Sequence, residues 1–143
     1  MLSCSFFGHR DIEVTEHLQK VLKNMLKEKI VKDNYTVFYF GGFGDFDDLC
    51  YKLITELKKE FNDIKRIFCL TDYKYSTKPI NKFTDKEYEE VVYFDLEFNW
   101  WYKRIYYRNL EIINRSDYVI FYVNKTKESG AYKAMKYAIS KRK

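Results

Sequence analysis

The sequence predicts an α/β fold: a mainly parallel sheet sandwiched between two layers of helices. Three observations predict it. Short apolar runs alternate with amphipathic segments along the whole chain, and parallel neighbours need crossover helices of this kind. Runs such as "VIFYV" (119–123) are apolar at almost every position, as strands buried on both faces are. Finally, all five glycines, Gly8, Gly41, Gly42, Gly44 and Gly130, fall where a predicted strand hands over to a helix.

The elements follow in order. Leu2 to Phe7 is the first strand. Leu18, Val21, Leu22, Met25 and Leu26 then recur at the spacing that places them on one helical face, with Thr15 as the cap. "YTVFYF" (35–40), β-branched and aromatic, is the second strand, and the helix behind it carries Phe46, Leu49, Cys50, Leu53, Ile54 and Leu57 on one stripe. "IKRIFCLT" (64–71) is the third strand and "EEVVYFD" (89–95) a fourth. A helix through about Tyr102 to Asn114 leads into "SDYVIFYV" (116–123), the clearest strand of the chain. The last helix gathers Ala131, Ala134, Met135, Ala138 and Ile139 on one face. Between Thr71 and Glu90 runs an irregular segment with the only proline, expected to be a surface excursion of the length that often forms a lid.

Composition limits the possibilities. With 143 residues, 46% of them hydrophobic, the chain can bury one sizeable core, and a single domain over 1–143 is expected. Lys and Arg number 26 against 21 Asp and Glu. This excess is scattered over helix faces and the "SKRK" tail instead of forming an arm, so nucleic acid is not an expected partner. Cys4, Cys50 and Cys69 are odd in number, far apart and set in apolar runs, which reads as reduced core thiols without metal-ligand spacing. No stretch approaches the roughly 20 apolar residues that span a bilayer, and no signal segment opens the chain; a cytoplasmic protein without metal or cofactor is expected.

Glycines at the carboxyl ends of parallel strands let backbone N–H groups approach a ligand, and the helix N-termini that follow favour an anion. A phosphate-bearing small molecule is the expected ligand. "GGFGDFDD" is neither a Walker A loop nor GxGxxG. Asp45 and Asp48, three apart, suit a helix cap, which leaves Asp47 to be explained.

Taken together, "CSFFGHRD" (4–11), "FYFGGFGDFDDL" (38–49), "RNLEIINRSDYVIFYV" (108–123) and "SGAYKAMKYA" (129–138) resemble, in that order, the small bacterial and phage proteins of the SLOG superfamily, in its YpsA-like branch. The resemblance covers nearly the whole chain. It implies a Rossmann-like fold and the binding of a nucleotide or an NAD-derived nucleotide. Relatives of that type include DprA and the LOG phosphoribohydrolases. LOG enzymes carry PGGxGTxxE, whereas the matching string here has Phe40 for the proline, Asp45 for the threonine and Asp48 at the glutamate position.

On this reading the five glycines bring backbone donors to phosphate and Arg10 adds a charged contact. His9 meets ribose or base, Asp47 accepts from ribose hydroxyls, and Arg108 with Asn109 closes the pocket. Sensing or sequestering a ligand is the expected role. The rival is a nucleotide N-glycosidase with Asp47, Asp48 and Arg108 as the catalytic candidates. A third reading, single-stranded nucleic-acid binding, rests on the net charge and the likeness to DprA. The aromatic segment "YFDLEFNWWYKRIYY" (93–107), with Trp100 and Trp101, predicts a homodimer or larger assembly.

Overall fold

A computed structural model describes residues 1–41, 44–70, 86–94, 101–124 and 129–143, the side chains of residues 101 and 102 excepted. The elements run β1 (Leu2–Gly8), α1 (Glu16–Asp33), β2 (Tyr35–Phe40), α2 (Asp45–Lys58), β3 (Lys65–Leu70), β4 (Glu90–Tyr93), α3 (Trp101–Arg115), β5 (Tyr118–Tyr122) and α4 (Gly130–Ser140). The five strands pair in the order β4-β3-β2-β1-β5, and each pairing is parallel. This is the α/β sandwich the alternation predicts. Among the described residues no helix is long and apolar enough to cross a membrane.

Strand alternation divides the core between the two faces of the sheet. Phe6, Phe38, Phe40 and Phe68 point to one side, where they meet Leu22, Leu26 and Ile30 of α1 and the whole predicted stripe of α2. Phe7, Val37, Ile67, Cys69 and Val119 point to the other, against Ile112 and Ile113 of α3 and Ala134 and Ala138 of α4. Full burial of each large apolar side chain stabilises by about 1.5–3 kcal/mol, so α2, buried at six positions of its stripe, is the most firmly held helix. Cys4, Cys50 and Cys69 are free and buried, and burial pushes all three thiols up, away from reactivity.

Two helices sit differently from the sequence expectation. On α1 the buried line is Leu22, Leu26 and Ile30, while Val21 and Met25 lie towards solvent. On α4 Ile139 is exposed, and Tyr137 takes its place beside the core. In both cases the sheet offers a narrow strip, so i, i+4 neighbours fill it and the flanking apolar residues are left outside. Thr15 caps α1 as expected, accepting from Leu18 N at 3.0 Å.

At the amino edge, "SD" of "SDYVIFYV" fastens β5 to β1. Ser3 N donates to Asp117 Oδ2 at 2.9 Å, Asp117 N donates back to Ser3 O at 2.9 Å, and Ser116 Oγ donates to Ile112 O at 2.6 Å while lying 2.8 Å from Ser5 Oγ. Serving the register of β1 and β5, these polar groups are far from the carboxyl edge.

Of the irregular segment, residues 71–85 lie outside the described residues, and so do residue 100 and the tryptophan side chain at 101 on which the assembly expectation leans. The end of that segment is anchored on the α1/α2 face. Lys86 pairs with Asp48, Tyr51 Oη exchanges hydrogen bonds with Glu87, and Tyr88 packs on Phe40 and Phe68. Arg66, 5% exposed, then clasps Glu89 through Nε at 2.9 Å and Nη2 at 2.6 Å, with its own N–H donating to the same carboxylate at 2.8 Å.

Partial burial alone would raise the Glu89 carboxyl, but the Arg66 hydrogen bonds and charge outweigh it and hold the group below its ordinary 4.5. A depressed folded value stabilises the protein fully above the ordinary value, and that contribution fades as pH falls through the folded one. Glu89→Gln should therefore lower stability at neutral pH by about 1–3 kcal/mol. It should also flatten the loss of stability below pH 4.5. Urea denaturation on either side of that pH checks both; an unchanged acid slope in the variant would assign the effect to other carboxylates.

Candidate functional site

The strand order reverses at β1. Chain order runs outward through β2, β3 and β4 on one side, and β5 is added on the other. Connections on the two sides of such a switch diverge, opening a crevice at the carboxyl ends of the strands. A cavity of about 800 Å³ occupies that place, walled by the ends of β1 and β2, the inner face of α3 and the N-terminus of α4. Its volume falls in the range of small-molecule sites, roughly 300–1,000 Å³.

The cavity brings together Gly8, His9, Arg10, Gly41, Asp47, Arg108, Asn109 and Gly130 from the predicted set. Gly44 and Asp48 do not line it, and Gly42 lies outside the described residues. Asp47 and Asp48 part company because consecutive helical residues diverge by about 100°. Asp47, only 8% exposed, faces the crevice, and its Oδ1 accepts from Gly41 N at 3.2 Å. Asp48 turns outward to Lys86 and a separate shallow groove beside Val14 and Lys52. Asp45 Oδ2 accepts from Ile12 N at 3.1 Å, holding the loop after β1, so the N-cap of α2 is Gly44 without a side-chain bond.

Three of the glycines answer close approaches within the protein. A Cβ on Gly8 would stand 2.4 Å from the Phe46 ring, and one on Gly41 would stand 2.7 Å from Arg108 Nη2. Gly44 adopts φ +98°, a region that side chains disfavour, with the Arg10 backbone 3.0 Å from where a Cβ would be. Gly41 also gives its N–H to Asp47. Gly130 differs, since nothing lies within 4 Å of its would-be Cβ. It opens α4 after Ser129, whose Oγ accepts from Tyr132 N at 3.1 Å. The first N–H groups of such a helix have no intrahelical acceptor and carry the positive end of its dipole.

Arg108 is the central cation. Its Nη1 donates to Gly41 O at 3.2 Å and its Nη2 to Asn109 Oδ1 at 3.2 Å, both neutral acceptors. Nε is buried without a partner, and no carboxylate among the described residues forms an ion pair with the guanidinium. Burial pulls its pKa below the ordinary value, against the opposing influence of Cys69 and Asp47. A guanidinium nevertheless keeps its proton at physiological pH. His9 accepts from Asn124 N at Nε2, 2.6 Å away, which ties the ends of β1 and β5 together. In its neutral form the ring then carries its proton on Nδ1.

Several lining residues escaped the sequence reading. Lys103, Tyr106 and Tyr107 of α3, Tyr39 of β2, and Ser129 and Lys133 around the start of α4 all face the cavity. Polar and aromatic residues one turn apart on α3, and serine just before a glycine-led helix, were the available signals. Among the described lining residues, Arg10, Lys103, Arg108 and Lys133 bring four positive charges, and Asp47 is the one carboxylate. Such a wall suits an anion.

No protein-family model matches the chain, and no curated protein matches its sequence.

The glycine contacts make opposite predictions. Gly8→Ala should overpack against Phe46 and cost about 1–3 kcal/mol, whereas Gly130→Ala, at an open helical position, should leave stability unchanged or slightly raised. Thermal denaturation of the two variants compares them directly; equal effects would contradict the close approach at Gly8.

Proposed function

We propose that this protein is a SLOG-type binding protein that holds an anionic, nucleotide-derived small molecule in the cavity at the carboxyl edge of its sheet. The observation that carries this reading is Arg108. A partly buried guanidinium gains from a carboxylate partner, because taking a charge out of water is costly unless it is compensated. Among the described residues the hydrogen-bond acceptors of Arg108 are neutral, and three further cations share its cavity. A phosphoryl group supplies the missing countercharge, and the start of α4 adds backbone donors of the right polarity. Tyr39, Tyr106 and Tyr107 provide aromatic surface for a base.

Binding is favoured over glycosidic cleavage by the fate of the acidic residues. Asp48, at the position where LOG enzymes carry glutamate, is paired with Lys86 outside the cavity, and Asp47 already accepts from the glycine loop. The role then falls to ligand capture, as in sensing or sequestration.

Calorimetry with AMP, ADP-ribose and cyclic NAD-derived nucleotides tests the reading. Arg10 is exposed at the cavity wall, so Arg10→Ala should leave the fold intact and remove a charged contact. The expected loss is roughly 1.5–3 kcal/mol, about ten- to a hundredfold in affinity. Gly130→Leu should obstruct the cavity and abolish binding without loss of stability. Chromatography of the same mixtures should show no free base. Failure of every anionic nucleotide to bind the folded wild-type protein would refute the proposal, and base release dependent on Asp47 would replace it with the glycosidase.

A further inference from the structure

Gly41 is gripped from both sides of the sheet. Its N–H goes to Asp47 of α2 at 3.2 Å, and its carbonyl accepts from Arg108 of α3 at 3.2 Å. The guanidinium lies so close over this residue that a Cβ there would stand 2.7 Å from Nη2. Among the described residues the hydrogen-bonded seat of Arg108 is the Gly41 carbonyl and the Asn109 side chain. Whatever sets the backbone of Gly41 therefore sets the direction in which Arg108 faces the cavity.

We infer that Asp47 is a positioning residue for Arg108: by fixing the N–H of Gly41 it presents the Gly41 carbonyl to the guanidinium and aims that cation into the cavity. The inference rests on the anion-site reading for its consequence in binding, though not for its geometry. It assigns the buried carboxylate a task other than contact with ribose hydroxyls or stabilisation of a sugar cation. That task needs an acceptor atom at Oδ1 and does not need the negative charge, so asparagine should replace aspartate where alanine cannot.

Two measurements test this. In the free protein, the Nε–H resonance of Arg108, assigned by its disappearance in Arg108→Lys, should be seen in ¹⁵N–¹H correlation spectra. Its position and slow solvent exchange should survive Asp47→Asn. Asp47→Ala should shift it and speed its exchange. An Nε–H signal unaltered by Asp47→Ala overturns the inference whatever the ligand does.

The second measurement is a double-mutant cycle read by calorimetry with AMP and ADP-ribose. Asp47→Asn should bind within about threefold of wild type and Asp47→Ala about tenfold more weakly, the scale of one lost hydrogen-bonded contact. In an Arg108→Met background, Asp47→Ala should cause no further loss, because the residue acts through Arg108. Equal losses for Asp47→Asn and Asp47→Ala, or a full additional loss in the Arg108→Met background, would mean that Asp47 touches the ligand itself and would overturn the inference. Absence of binding by the wild type would defeat the anion-site reading and leave the resonance of Arg108 to decide the positioning role.

Discussion

The rest of the structure depends on the position of β1, hydrogen-bonded in parallel to β2 on one side and β5 on the other. Parallel pairing requires each connection to cross a face of the sheet, and the change of direction at β1 separates the helices into two pairs. α1 and α2 cover the face that contains Phe6 and Phe38; α3 and α4 cover the face that contains Phe7 and Val37. The crevice arises from this division. Its walls are helices and its floor is the ends of β1 and β2, so polar groups placed there sit on elements packed into the core.

Two arginines, Arg66 buried and Arg108 partly so, show how the surroundings set the use of a charge. Arg66 meets Glu89 with two donors on the carboxylate, and the pair fastens the approach to β4 onto β3 and α2. That charge is balanced within the protein. Arg108 has the same side chain and carbonyl oxygens as its acceptors, so its charge is solvated by dipoles without being neutralised. The first arrangement fastens two elements of the fold, and the second leaves a cation on the wall of the cavity.

The glycines extend the same contrast. Gly8 makes room for the Phe46 ring, Gly41 for the Arg108 guanidinium, and Gly44 for a backbone turn against Arg10. Their lack of a side chain thus serves the walls of the crevice. Gly130, with open space before it, is the one among the described glycines whose would-be side chain meets nothing, and it lines the cavity.

Periodicity alone determined the fold class, the order of elements and the buried stripe of α2, because helical and strand repeats are local properties that any window of sequence displays. It also located the glycines at strand ends, and Gly8, Gly41 and Gly130 among them line the cavity. The phase of a helix about its axis is a different matter. Val21 and Met25 share a sequence stripe with Leu22 and Leu26 yet stay outside, and Ile139 gives way to Tyr137, because the width of the sheet decides how many columns of side chains it can cover. Adjacent aspartates have the same chemistry in sequence. Only the docking of α2 on β1 turned Asp47 inward to Gly41 and Asp48 outward to Lys86. Likewise "RN" and "SD" stand in one motif, but the second half of α3, residues 110–115, separates them, placing Arg108 at the crevice and Asp117 at the opposite edge beside Ser3. Local pattern fixed which elements exist; the strand order, which brings distant residues to one edge, fixed which of them meet.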